Sequence, residues 1–342
     1  MSTSYDAFYI NGEWAKPASS SRFHLINAAT EEEIGSVPEA STGDIDRAVA
    51  AARHAFDHSD WPKLSAAQRG EALKRFVAAL AKRGPDIAKA VSIQNGMPIT
   101  VAGMLEGQFS VGLVDYYAQL ATALEAEEKR PSQMGLETLV TRSPIGVVAA
   151  IVPWNFPVTL ALSKIAPALA AGCTVVVKPS PGTVLDSYVL AEAAQEAQLP
   201  PGVVNWVAAD REVGAYLVSH PGVDKVAFTG STAAGRVIAR TCGELLRPVS
   251  LELGGKSAAI ILDDSDLNAV IQGLPMVSLL NNGQACFNST RILAPESRYD
   301  EVVDAVAALA SSLVVGDPAD PATHVGPMAS ATHRERVESY IA

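Results

Sequence analysis

The stretch GVVAAIVPWNFPVTLALSKIAPALAAGCTVVVKPS, residues 146–180, decides the fold of this chain. It joins an apolar run at 147–152 to a β-branched run at 174–177 through a helical pattern at 159–171. Two short apolar runs connected by a helix of this length predict a βαβ unit, whose strands are parallel and buried on both faces. Such units build a parallel sheet, so we expect an α/β fold.

The same alternation continues toward the carboxyl end. Further strands are predicted at 203–207 and 225–228, and helices at 185–197, 213–219 and 233–242. A second unit begins near residue 251, with a strand at 258–262, a helical region through 282 and a helix near 300–313. We therefore predict a Rossmann-like, mostly parallel sheet that binds ligands at the carboxyl ends of its strands, followed by the first part of a second α/β domain.

The segments before residue 146 are predicted to be mainly helical. Residues 44–56 have an amphipathic helical pattern, and Ser65 with Gln68 forms a capping box that starts another helix. Charged residues crowd the beginning of 125–141, and an apolar alternation follows them. This last segment predicts a protruding β-hairpin.

Composition excludes several classes of protein. The chain has 342 residues, of which 48% are hydrophobic and 18% charged, so fibrous and disordered proteins are excluded. The net charge of −11, without a basic run, argues against nucleic acid or an anionic membrane as a partner. No run of about 18 apolar residues predicts a membrane span, and the start does not resemble a signal peptide. Three cysteines without a CxxC pair favour a reducing compartment, so we expect a cytoplasmic protein.

Polar side chains follow the predicted strands, at the edge where such a sheet binds ligands. Asn155, in the turn at 153–157, either donates a hydrogen bond to an oxyanion or ties down its own turn. Lys178 and Ser180 either bind a ribose or phosphate or are solvated at a strand end. The segment FTGSTAAG at 228–235 is either a helix start that binds a pyrophosphate or simply a capped helix.

Two later segments carry reactive side chains. Glu252, in LELGGKS, is expected to be partly desolvated, which raises the pKa of a carboxylate and makes it a general base; the alternative is a structural ion pair with Lys256. The turn NNGQACF carries Cys286, which is either a thiolate nucleophile or a small buried residue. Cys173 and Cys242 fit the buried interpretation. No GxSxG elbow and no metal-ligand spacing of histidines occur, so a serine hydrolase and a zinc enzyme are unsupported and no metal is expected.

Together these segments resemble the aldehyde dehydrogenase superfamily. The matching segments, in the family's order and spacing, are PWNFP at 153–157, KPS at 178–180, FTGST at 228–232 with Gly235 behind it, LELGGK at 251–256 and GQAC at 283–286. Five motifs in register over most of the chain form a specific signal. The resemblance implies an aldehyde as substrate and NAD or NADP as cofactor.

The resemblance also implies the catalytic roles. Cys286 would attack the aldehyde carbonyl, and the Asn155 amide and the Cys286 main-chain N–H would hold the oxyanion. A hydride would then leave to the nicotinamide. Glu252 would activate the water that hydrolyses the thioester and releases the carboxylic acid.

A cofactor groove is implied as well. Its expected residues are Val152, Trp154, Lys178, Ser180, Pro181, Arg211, Gly230, Ser231, Gly235 and Leu253. Two of them depart from the family pattern, since Pro181 stands where NAD-preferring members usually have a glutamate for the ribose hydroxyls, and Arg211 stands where many relatives are glycine-rich. We therefore hypothesise that Arg211 accepts the 2′-phosphate of NADP, so that NADP is used as well as NAD.

The resemblance sets the expected domains and assembly. A cofactor-binding domain is expected at 1–123 and 142–251, an oligomerisation hairpin at 124–141, and an incomplete catalytic domain at 252–342. The chain stops inside an amphipathic helical pattern without a stop signal, so we expect it to be truncated. In the full-length form, a homodimer or homotetramer is implied.

Two other functions stay open. A CoA-acylating semialdehyde dehydrogenase would resolve the thioester with a thiol rather than water, although such relatives typically lack the glutamate at the position of Glu252. An incomplete chain could instead be a nucleotide-binding protein without turnover.

Overall fold

The computed structural model describes residues 4–342, so residues 1–3 of the expected cofactor domain lie outside the described range. The strands are β1 (Phe8–Ile10), β2 (Glu13–Ala15), β3 (Arg22–Ile26), β4 (Glu33–Pro38), β5 (Glu127–Pro131), β6 (Glu137–Thr141), β7 (Val147–Ile151), β8 (Thr174–Lys178), β9 (Val204–Trp206), β10 (Lys225–Gly230), β11 (Val249–Leu253), β12 (Ala258–Ile260) and β13 (Arg291–Leu293). The helices are α1 (Thr42–His58), α2 (Ala66–Lys82), α3 (Gly84–Asn95), α4 (Ile99–Val101), α5 (Ser110–Thr122), α6 (Pro157–Ala171), α7 (Leu185–Glu196), α8 (Arg211–Ser219), α9 (Thr232–Glu244), α10 (Leu267–Ser278), α11 (Tyr299–Ser312) and α12 (Ala331–Ile341).

A seven-stranded sheet forms the centre of the molecule, in the order β11-β10-β7-β8-β9-β1-β2. Strands β7 to β11 are parallel, and β1 and β2 add an antiparallel edge. The prediction of a mostly parallel sheet is therefore confirmed. The chain winds from β7 through β9 in one direction and then returns to place β10 on the other side of β7. A sheet of this type binds its ligand at that reversal, between β7 and β10.

The inner strands are apolar because helices cover both faces of the sheet. Every residue of β7 and of β8 is buried. Along β7, Val148 and Ala150 pack into the cluster that includes α6, whereas Val147 and Ala149 pack into the cluster that includes α1. Successive strand residues point to opposite faces, so an unbroken apolar run is what a strand between two helical layers requires.

Local signals fix several helix ends. The capping box of Ser65 and Gln68 starts α2 as predicted. Helix α6 begins with Pro157, whose missing N–H would have no helical partner there, and it ends at Gly172, whose φ is +91°. A π-helical segment at Ala102–Phe109 is not foreseen by the sequence patterns. Within the described range, no helix is long and apolar enough to cross a membrane.

Smaller sheets complete the fold. Strands β5 and β6 form the predicted hairpin in an antiparallel sheet of their own, and nearly all of its residues are exposed. Strands β12 and β13 pair in parallel, as expected for a second α/β unit. Strand β11 runs past residue 251, with Glu252 opposite Thr229 and Leu253 opposite Gly230, so both residues lie in the edge strand of the large sheet.

Candidate active site

A groove with a volume of about 400 Å³ lies at the carboxyl ends of the parallel strands. The predicted cofactor residues that line it are Val152, Trp154, Lys178, Ser180, Pro181, Arg211, Gly230 and Ser231. They come from the last residues of β8 and β10, from the turns after β7, β8 and β10, and from the start of α8. Residues far apart in sequence therefore meet at the switch point of the sheet.

Lys178 is built into the wall of this groove. Its Nζ donates hydrogen bonds to the main-chain carbonyls of Pro179, at 2.9 Å, and Ala209, at 2.8 Å. Burial lowers the pKa of Lys178 to about 8, while the charge of Asp210 opposes that shift. A Cβ at Gly214 would lie 3.1 Å from Lys178 Cδ, so the glycine leaves room for the lysine stem.

The amino end of α9 borders the same groove. Ser231 caps the helix, since its Oγ accepts a hydrogen bond from the Ala234 N–H at 3.3 Å. A helix start favours negative charge, because its first N–H groups have no helical acceptor and the helix dipole is positive there. The groove therefore has one wall suited to a phosphate.

Gly235 and Leu253 do not line the groove. A Cβ at Gly235 would lie 2.6 Å from Leu253 Cδ2, so the glycine allows α9 to pack closely against β11. The two residues are therefore in packing contact with each other beside the start of α9.

Arg211 lies at the first position of α8, after the cap residue Asp210, whose carboxylate accepts a hydrogen bond from the Val213 N–H at 2.8 Å. The guanidinium is exposed and faces the groove. The Arg211 side chain is therefore available to bind a ligand, whereas the Asp210 carboxylate caps α8.

Cys286 is exposed, whereas Cys173 and Cys242 are buried. The buried interpretation of those two cysteines is confirmed. The turn that carries Cys286 follows α10 and contacts the turn after β7, because Asn155 Nδ2 donates a hydrogen bond to the main-chain carbonyl of Gln284 at 2.9 Å. The candidate nucleophile and the candidate oxyanion amide therefore share one junction.

Glu252 differs from its expected environment. The sequence predicts a desolvated carboxylate between two leucines, but Glu252 is exposed. The physical reason is that successive strand residues face opposite sides of the sheet. Leu251 and Leu253 pack against the apolar cluster that includes α9, whereas Glu252 points to the other face, where Ser250 is also exposed. The alternative ion pair is also absent, since no contact within 4.0 Å joins Glu252 to Lys256 in the part of the chain that the structure describes.

Lys164 is a buried cation whose charge interacts with that of Glu252. Burial lowers the pKa of Lys164 to about 8, and the negative charge of Glu252 acts in the opposite direction. The Lys164 Nζ donates a hydrogen bond to Thr229 Oγ1 at 2.6 Å, and Thr229 is the strand neighbour of Glu252.

A second cavity, of about 780 Å³, contains Cys286 and Glu252 in its lining. Phe228 and Thr229, near the end of β10, line both this cavity and the groove. The two spaces therefore meet on either side of one strand end. Among the described residues, no group of three or more His, Cys, Asp or Glu could hold a metal ion.

The sequence model of the aldehyde dehydrogenase family matches residues 14–342. This chain belongs to the aldehyde dehydrogenase family.

Individual members of the aldehyde dehydrogenase family match the chain over nearly its whole length. Geranial dehydrogenase of Castellaniella defragrans is 62% identical over 341 residues, which are 100% of this chain and 71% of that protein. Aminoaldehyde dehydrogenase 1 of Malus domestica is 39% identical over 96% of this chain and 67% of its own length. The structure of a Mycobacterium tuberculosis aldehyde dehydrogenase complexed with NAD+ superposes with a TM-score of 0.96 at 45% identity, covering 100% of this chain and 70% of that one.

Two residues of the aldehyde dehydrogenase groove are missed by the sequence patterns. Arg336, on α12, lines the groove, and the His333 ring lies edge-on to Trp154 with 4.4 Å between ring centroids. An amphipathic pattern signals the helix itself. Nothing in one sequence signals that this helix packs beside a turn nearly 180 residues earlier.

Proposed function

We propose that this protein oxidises an aldehyde to a carboxylic acid with NAD(P)+ and water, through a covalent intermediate on Cys286. The observation that carries the proposal is the cavity that holds Cys286 and Glu252 and shares Phe228 and Thr229 with the groove. A nucleophile and a carboxylate on one side of a strand end, with a phosphate-suited groove on the other, fit a reaction that passes a hydride between the two spaces.

The groove fits a dinucleotide. It lies at the switch point of a doubly wound sheet, it contains the amino end of α9 for a pyrophosphate, and Ser180 lies where a ribose hydroxyl could be bound. When bound, the nicotinamide supplies the hydride acceptor. NAD is supported by the superposed NAD+ complexes of family members.

The nucleophilic step uses Cys286 and Asn155. The Cys286 thiolate forms a bond with the aldehyde carbon, and the carbonyl oxygen becomes an oxyanion. The Asn155 side chain has two N–H bonds, of which one meets the Gln284 carbonyl and the other is left for the oxyanion, together with the Cys286 main-chain N–H. Loss of hydride from this thiohemiacetal leaves a thioester on Cys286.

Hydrolysis then uses Glu252. Its carboxylate takes a proton from water, and the hydroxide oxygen bonds to the thioester carbon. The carbon–sulfur bond then breaks, which releases the carboxylic acid and regenerates the Cys286 thiolate. The exposure of Glu252 gives water direct access to it. This step separates the proposal from a CoA-acylating enzyme, in which a thiol would take the place of the water.

The cavity favours an apolar aldehyde. Its lining includes the apolar residues Leu160, Pro167, Ala168 and Phe287. An apolar wall stabilises a hydrocarbon chain by roughly 25 cal/mol for each Å² removed from water. A terpenoid or similarly apolar aldehyde is therefore the proposed substrate class, and the name of the 62% identical geranial dehydrogenase supports it.

The experiment is an assay of the natural protein at full length with geranial and NAD+. We expect a burst of NADH followed by steady turnover to the free acid without added CoA, and slower turnover with charged betaine aldehyde. Cys286→Ala should abolish both phases, while Cys173→Ala, at a buried thiol, should keep them. Activity in Cys286→Ala, or turnover only with CoA, would contradict the proposal.

Cofactor choice is a finer part of the proposal. Pro181 offers no carboxylate to the ribose hydroxyls, and exposed Arg211 can meet a 2′-phosphate, so we expect NADP+ to be used as well as NAD+. Arg211→Ala should lower kcat/KM for NADP+ about tenfold or more and leave that for NAD+ within about twofold. A preference for NAD+ above about a hundredfold, or about 2.7 kcal/mol, in the natural protein would refute the idea.

The proposed setting is a homodimer or homotetramer in the cytoplasm. The exposed hairpin of β5 and β6 offers its free edges to a second copy, and all three cysteines are free thiols.

A further inference from the structure

Two buried asparagines hold the turn that carries Asn155. Asn95, the last residue of α3, is 0% exposed, and its Nδ2 lies 2.8 Å from the Trp154 carbonyl oxygen and 3.2 Å from the Asn155 carbonyl oxygen. Asn281, 2% exposed, donates from its Nδ2 to the same Asn155 oxygen at 2.8 Å. The carbonyl of Asn155 therefore accepts hydrogen bonds from two side-chain amides that lie on different elements.

The orientation of both amides is fixed by chemistry. Each faces a main-chain carbonyl, which can only accept, so the NH2 side of the amide must point toward the turn. The Oδ1 atoms of Asn95 and Asn281 are buried and meet no protein donor among the described residues. The side-chain hydrogen bonds of Asn95 and Asn281 therefore go to the carbonyls of this turn.

The turn and the nucleophile loop close a ring of hydrogen bonds. Asn281 donates to the Asn155 carbonyl, the Gln284 N–H donates to the Asn281 carbonyl at 2.8 Å, and Asn155 Nδ2 donates to the Gln284 carbonyl at 2.9 Å. Gln284 stands two residues before Cys286. The ring therefore fixes Asn155, backbone and side chain, relative to the loop of the nucleophile, and Asn95 anchors it to α3.

We propose that Asn95 and Asn281 are positioning residues that aim the Asn155 amide at the reacting oxygen. The inference rests on the proposed function, since it assumes that Asn155 stabilises an oxyanion. A donor stabilises a transition state only when it is held in place before charge develops, and removal of one such donor in other enzymes slows catalysis by about a hundredfold or more. Loss of an anchor behind the donor misaligns it, so it should act on the same step.

The test is the rate constant of the NADH burst in the natural protein at full length, with geranial and NAD+. Asn95→Ala should slow the burst at least tenfold and leave the Kd for NAD+ within about twofold. Asn205→Ala is the matched control, because Asn205 is also 0% exposed and its Nδ2 also donates to two main-chain carbonyls, those of Val175 and Gly202. It should lower the melting temperature as much without slowing the burst. An equal effect on the burst in both variants, or none in Asn95→Ala, would overturn the inference.

A double-mutant cycle separates positioning from general support. If Asn95 acts through Asn155, then Asn95→Ala should slow the burst less than twofold further in an Asn155→Ala background. Independent, multiplicative losses would overturn the inference. Asn281→Ala, on the other anchor, gives the same test should Asn95→Ala fail to fold. An unchanged burst in Asn155→Ala would overturn the oxyanion assignment itself, whereas a slow Asn155→Ala beside a normal Asn95→Ala would overturn only the positioning claim.

Discussion

Glu106 is a fully buried acidic residue at the amino end of α6. It accepts hydrogen bonds from the N–H groups of Val158, at 2.8 Å, and Thr159, at 3.3 Å, in the first turn of α6. Burial raises the pKa of Glu106 to about 7, against the opposing effect of the hydrogen bonds from Thr159 and Val158. Asp186, another fully buried carboxyl group, has its pKa raised by burial and by the charge of Glu106.

This pKa predicts a loss of stability with rising pH. The native state keeps the Glu106 proton up to about pH 7, whereas the unfolded chain loses it near pH 4.5, so the contribution is complete below about 4.5 and lost as the pH rises through 7. The loss should be about 3 kcal/mol. Denaturant unfolding of the natural protein and of Glu106→Gln at pH 5 and pH 8 checks it. A difference in free energy between the two proteins that is the same at both pH values would contradict the prediction.

Other residue roles are readable from sequence only in part. The roles proposed for Cys286, Asn155 and Lys178 rest on their residue types and motif positions. The exposure of Glu252 cannot be predicted from the sequence, because it depends on which face of β11 the rest of the fold covers. The role of Glu106 is equally hidden, since its partners lie 52 and 53 residues later in the chain.

The end of α3 packs tightly against the segment that contains Pro327. Gly96 closes the helix with φ +77°, and a Cβ there would lie 2.5 Å from the main-chain oxygen of Pro327. Asn282 binds both sides of this contact, as its Nδ2 donates to the carbonyls of Gly96, at 2.8 Å, and Pro327, at 2.9 Å. The glycine is needed for the close approach as well as for the left-handed backbone.

Gly96→Ala should therefore destabilise the protein by about 2–4 kcal/mol, of which about 1 comes from the positive φ and the rest from the clash with rigid backbone. Gly112→Ala is the matched control, because Gly112 lies within α5, is exposed and has open space around its Cβ position. That control should be neutral or stabilising by up to about 1 kcal/mol. Equal free energies of unfolding for the two variants would contradict this account.

Elements are the level at which sequence prediction works best here. The unbroken apolar runs of β7 and β8 and the capping box of α2 are local signals, and all three elements form as predicted. The π-helical segment Ala102–Phe109 has no local signal. Helix α12 has one, but its contact with Trp154 depends on tertiary packing that no local pattern encodes.

At the scale of the molecule, the strand order explains why the site lies where it does. The reversal between β7 and β10 opens the groove, and the end of β10 separates the groove from the cavity of Cys286. The chain spans about 70% of the length of the relatives it matches. Within that span lie all three segments that we propose to carry the nucleophile, the oxyanion amide and the general base, and the fold brings them to one end of the sheet.

The central claim is that Cys286 carries the acyl intermediate and Glu252 resolves it. Mass spectrometry of Glu252→Gln, in the natural protein at full length after reaction with geranial and NAD+, tests it most directly. We expect one acyl group on the peptide that contains Cys286, formed with one equivalent of NADH per reacting chain and lost slowly. Turnover as fast as in the natural protein without an adduct, or an acyl group on any other residue, would contradict the account.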